Sequence, residues 1–126
     1  MDEPTAGAIT TGVAQVFDLH ALKDFASDKR VRKMLFKTDQ LWSEIACYEP
    51  GQSTAMHSHP REEEAIFVLQ GTATMNIDSQ EVVVPAGSIV KFPSGVPHDV
   101  RNLQNARCVI MFVKANPKLL KGLSDG

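Results

Sequence analysis

The chain has 126 residues, 43% of them hydrophobic, and a net charge of −2 from 13 Lys and Arg against 15 Asp and Glu. That size suits one domain with a continuous core, and the charge argues against nucleic acid as the main partner. No apolar run is long enough to cross a bilayer, and the acidic start Met1-Asp2-Glu3-Pro4 lacks the basic and apolar stretches of a secretory leader, so a cytoplasmic location is expected.

Residues 1–12, rich in Gly, Thr and Ala without periodicity, read as a tail. Residues 13–19 read as a strand. Asp18 can cap one short helix through 23–26, because Leu19, Leu22, Phe25 and Ala26 share an apolar face at helical spacing. The basic cluster Lys29, Arg30, Arg32 and Lys33 reads as a solvated strand face and is given no function. From residue 31 the pattern becomes short apolar runs cut by turn residues: 31–37, 41–48, 65–69, 72–77, 81–84, 89–92 and 107–114. Asp78-Ser79-Gln80 reads as a hairpin turn, and Pro93-Ser94-Gly95 as a tight reversal just before His98. Many short strands with regular turns give an all-β fold, one barrel or sandwich domain over 13–114, with a solvated tail over 115–126. Cys47 and Cys108 are too few for a disulfide framework and sit among apolar residues; they pair only if their strands bring them together.

His57 and His59 are two residues apart, so on an extended stretch both imidazoles project from one side. A carboxylate shortly after His59 can turn toward the same point, and His98 arrives after the Pro93-Ser94-Gly95 turn. Three imidazoles and a carboxylate suit one divalent transition metal ion, Fe, Mn, Ni, Cu or Zn. Strand alternation leaves the choice between Glu63 and Glu64 open, because Pro60 can bulge the intervening loop.

The longer spacing is more specific. Gly51, His57, His59, Glu64 and Gly71 stand at fixed intervals, as do Gly87, Pro93, Gly95, His98 and Asn102. The two runs resemble the two motifs of the cupin superfamily, in its small single-domain form, and together they span residues 51–102. The resemblance implies metal ligation by His57, His59, Glu64 and His98, turn or strand-end roles for the glycines, Pro93 and Asn102, and a jelly-roll β-barrel of six to eight core strands. Arg61, Glu62 and Glu63 then become candidates for the pocket rim, and His20, outside both motifs, reads as a surface residue.

Four protein ligands leave one or two positions open on a five- or six-coordinate ion. The expected partner is an oxygen-rich small molecule such as a keto acid, diketone or phenolate. A dioxygenase-like oxygenase is the leading expectation; a redox-neutral isomerase, decarboxylase or lyase and a non-enzymatic binding protein are the alternatives. Beyond the metal ligands the candidate acids and bases are Tyr48 and Glu44, which share one strand face. Alternation does not say whether that face or the one carrying Leu41, Ser43, Ile45 and Cys47 points inward. A Glu44 that points inward favours the redox-neutral enzyme. Strands at 13–19 and 31–37, outside the motifs, supply edges whose covering by a second subunit makes a homodimer the expected assembly.

Overall fold

A computed structural model describes residues 8–11, 13–58 and 63–116. The short apolar runs form strands β1 Ala8–Thr11, β2 Ala14–Phe17, β3 Val31–Lys37, β4 Leu41–Tyr48, β5 Ser53–His57, β6 Glu64–Gln70, β7 Thr72–Ile77, β8 Gln80–Pro85, β9 Ile89–Phe92, β10 His98–Arg101 and β11 Cys108–Ala115. They pair antiparallel into a five-stranded sheet β3-β4-β11-β6-β9 and a four-stranded sheet β5-β10-β7-β8, with β1-β2 as a separate ribbon. This is an all-β double-stranded β-helix, the jelly-roll arrangement expected from the spacing. None of the described residues forms a helix long and apolar enough to cross a membrane.

Two turns show why the chain reverses where it does. Asp78 and Ser79 both adopt positive φ, 50° and 67°, giving a two-residue hairpin whose twist matches the flanking strands. Gly71, at φ 74°, joins β6 to β7 where a Cβ would collide with the Arg107 carbonyl, so only glycine fits.

The core is divided by the five-stranded sheet. Between the sheets lie Ala46, Tyr48, Ile66, Val68, Met75, Phe92, Val100 and Ile110. On the outer face Leu35, Ile45, Cys47 and Val109 are covered by Phe17, Leu19, Leu22 and Phe25. Residues 43–48 of β4 are therefore buried on both faces. The inward face carries Ala46 and Tyr48, which puts Glu44 on the inward parity as well.

The short helix expected over 23–26 does not form. Asp18 Oδ1 does accept the Ala21 amide at 3.2 Å, but the chain makes only a short turn, with Leu22 N donating to Leu19 O at 3.3 Å and Lys23 N to His20 O at 3.5 Å. A short turn fixes several dihedrals for few hydrogen bonds, and here its apolar residues spread over the sheet while the Ala26 carbonyl accepts Gln52 Nε2 at 2.8 Å. The reading of 1–12 as a tail lies largely outside the described residues; of that stretch Ala8–Thr11 pairs with β2. The 115–126 tail lies outside them after Asn116.

Cys47 pairs in register with Val109 and Cys108 with Tyr48, on neighbouring strands but opposite faces of the sheet. Both thiols are buried and free, which answers the pairing question. Burial pushes both upward, Cys108 to about 11, so they behave as small hydrophobes.

Candidate metal centre

Three strands deliver the polar cluster. His57 ends β5, His98 begins β10 and is its register partner, and Glu64 begins β6, one face inward. One ligand atom from each of His57, Glu64 and His98 lies within 4.8 Å of the others. Atoms bound about 2 Å from a common ion lie about 3 to 4 Å apart, so the set fits a transition metal with a small side-chain adjustment. His59 lies outside the described residues.

The surroundings orient these rings for ligation. The Nδ1–H of His57 donates to the Ala55 carbonyl at 2.9 Å and that of His98 to the Val96 carbonyl at 3.0 Å, which directs each Nε2 toward the shared point. His98 is 2% exposed, stacks on Phe92 with centroids 4.2 Å apart, and meets His57 edge-on at 4.4 Å. Its Nε2 stands 3.1 Å from Glu64 Oε1. Burial disfavours the charged ring, but the bonds to Glu64 and the Val96 carbonyl outweigh it and raise the His98 pKa. Glu63, by contrast, is exposed and pairs with Lys91 at 3.2 Å, so of the two carboxylates Glu64 is the one beside the histidines.

A cavity of about 350 Å³ opens from His57 and Glu64 between the sheets, with Ile66, Val100, Ile110 and Phe112 as apolar walls. Arg30, Arg32 and Lys114 line it as well. The basic cluster read as one solvated face thus divides. Arg30 and Arg32 border the cavity, while Lys33 stands on the outer face, 3.8 Å from Asp24. Sequence missed this because the parity of β4, and hence of its neighbour β3, was undetermined. Glu44 points inward but is not free: Arg32 Nε and Nη2 reach Oε1, both at 2.8 Å, and Trp42 Nε1 donates to Oε2 at 2.8 Å. Tyr48 lines the cavity with its hydroxyl 2.6 Å from Thr54 Oγ1, and burial pushes its pKa up to about 12 despite that bond. His20 is exposed on the short turn.

Comparison with known proteins agrees with this architecture. The uncharacterized protein MJ1618 of Methanocaldococcus jannaschii is 30% identical over 61 residues, 48% of this chain and 49% of that protein, so the match spans about half of each. The solved structure of TT1209 from Thermus thermophilus superposes with a TM-score of 0.75 at 23% identity, covering 79% of this chain and 95% of that one. A predicted oxalate decarboxylase from Thermotoga maritima superposes with a TM-score of 0.65 at 21% identity, covering 68% and 79%. At these identities the structural likeness speaks for the fold. The family model of the Cupin domain matches residues 44–114, more than half of the chain and all of the described cluster, and the chain therefore belongs to the cupin family.

Proposed function

We propose that this cupin is a metal-dependent enzyme that acts on a small oxygen-rich anion in the cavity by redox-neutral chemistry of the isomerase, decarboxylase or lyase kind. His57, Glu64 and His98, joined by His59, would hold one divalent transition ion, Fe, Mn, Ni, Cu or Zn, which supplies Lewis-acid stabilisation of negative charge on a bound oxygen. The observation that carries the redox-neutral reading is Tyr48. A phenol that burial keeps neutral, paired with Thr54 and facing the cavity, is a donor that can give a hydrogen bond to the oxyanion of an enolate without itself ionising. Arg30, Arg32 and Lys114 give the same cavity a preference for anions, and its apolar walls keep water from competing.

The oxygenase expected from sequence stands as the second reading, and a different observation favours it. Both oxygens of Glu44 are engaged, so the inward-pointing carboxylate that would have served as a base is occupied, and an oxygenase needs none. Its open coordination positions serve either reaction.

Elemental analysis after reconstitution, followed by turnover assays, tests both levels. Wild type and Glu63→Gln should carry roughly one ion per chain, while Glu64→Gln binds it about tenfold to a hundredfold more weakly. Wild type that takes up no transition metal would sink the metal-dependent reading. Metal-loaded protein is then offered keto acids, β-diketones and catechols with oxygen uptake followed alongside product. Product without oxygen consumption, abolished in Tyr48→Phe while the ion is retained, supports the redox-neutral enzyme; oxygen consumed in step with product transfers the assignment to the oxygenase.

A further inference from the structure

We propose that Arg32 and Lys114, gathered around Trp42 and Glu44, form a carboxylate site in the cavity that His57 and Glu64 also line, so that the substrate is a two-ended acid. One end presents chelating oxygens to the ion and the other a carboxylate to the two cations. The inference deepens the metal-dependent reading above and rests on it for the chelating end only.

It begins with Glu44. A carboxylate 6% exposed on an inward strand face is costly unless paired, and here its two oxygens are taken up by Arg32 and Trp42. The consequence falls on Arg32. Its Nε and Nη2 both serve Oε1, which locks the guanidinium plane, while Nη1 has no partner among the described residues and the side chain is 48% exposed along the cavity. A planar, pre-oriented fork with donors left over is built to receive a second planar carboxylate.

Lys114 faces the same space from β11. It pairs in register with Glu64 on one side and Trp42 on the other, yet its ammonium lies over aromatic rings, 4.5 Å from the Trp42 centroid and 5.7 Å from that of Phe112. It has no carboxylate partner among the described residues. Arg32 and Lys114 together stand against the single carboxylate Glu44, leaving one positive charge beside them, which one further carboxylate balances. Glu44, which anchors Arg32, lies two strands from Glu64 across β11 and two residues along, about 12 Å between backbones at a strand spacing of about 4.8 Å and a rise of about 3.4 Å. A short dicarboxylate reaches from one to the other.

The test uses full-length protein loaded with Co(II), whose visible absorption reports the ion, and calorimetry with 2-oxoglutarate against 2-oxovalerate, which has the same chain without the distal carboxylate. Wild type should bind 2-oxoglutarate roughly tenfold or more tightly than 2-oxovalerate. Arg32→Gln should erase that difference and leave Co(II) uptake and 2-oxovalerate affinity in place. Since this variant exposes Glu44 as an unpaired buried charge, Lys114→Met, which leaves no carboxylate without its partner, is measured beside it and should narrow the same ratio. Equal affinity of the two acids in wild type, or variants that weaken both acids alike, would overturn the carboxylate site, as would tighter binding of phosphoglycolate than of 2-oxoglutarate. If wild type takes up no Co(II), the metal reading fails separately. The carboxylate site is then read with glutarate on metal-free protein through the fluorescence of Trp42, the single tryptophan. A change that disappears in Lys114→Met supports it, and no change overturns it.

Discussion

Tyr48 ties the chemistry of the cavity to the stability of the fold. Its hydroxyl sits in an apolar wall with Thr54 Oγ1 as its hydrogen-bond partner at 2.6 Å, so ionising it would place a phenolate where water does not reach. The pKa rises from 10.0 to about 12 in the folded chain, mainly through burial. Between these values the folded state keeps a proton that the unfolded chain has lost. The stabilisation is therefore complete below pH 10 and is lost as the pH climbs toward 12, an effect of about 2 to 3 kcal/mol. Denaturant titrations should show this alkaline slope in wild type and a shallower one in Tyr48→Phe. Tyrosinate absorbance offers a direct check, because the chain has a single tyrosine. A midpoint at the ordinary value in native protein would contradict the buried placement.

At the scale of elements, strands whose sequence alternates or carries β-branched runs between turns were legible, and β3, β4, β7 and β9 fall on the expected residues. β5 and β10 were not, since Ser53–His57 and His98–Arg101 hold the polar residues of the site and so lack an apolar pattern. The short turn at 19–22 was misread as leading into a helix for a related reason. Spacing of Leu19, Leu22 and Phe25 reports that these residues share a buried side, which a docked coil satisfies as well as a helix. Leu22, 1% exposed, pins that coil to the outer face of β4 and β11. Leu22→Ala should cost about 2 to 5 kcal/mol in chemical denaturation, as for a packed core leucine, with little change in far-ultraviolet circular dichroism because no helix is lost. A cost near zero would mean that the segment does not cover the sheet.

The whole molecule shows why the candidate metal cluster was more legible than the cavity beside it. The candidate cluster reads off the sequence as His57, Glu64 and His98 at fixed intervals, whereas the cavity is assembled from six strands of both sheets and depends on which face of β4 turns inward. With both faces of β4 buried, no hydrophobic alternation carried that information. The assembly is a question of the same kind. Among the described residues the ribbon of β1 and β2 is a separate sheet from the two main ones, and an isolated two-stranded ribbon is marginal in water. Val16 on β2 and Met34 on β3 are both exposed, at 49% and 44%, and among the described residues β3 has a single sheet neighbour. A second copy that pairs with this edge and packs on the ribbon would remove both liabilities at once, so a homodimer is the expected state. Light scattering at high micromolar concentration should give twice the 13.8 kDa mass of the chain. Val16→Asp, which places a charge on the ribbon without touching either core cluster, should shift the protein toward the monomer. A wild-type protein that scatters as a monomer would assign the edge protection to the charges of Arg32, Lys33 and Lys37 on β3 instead.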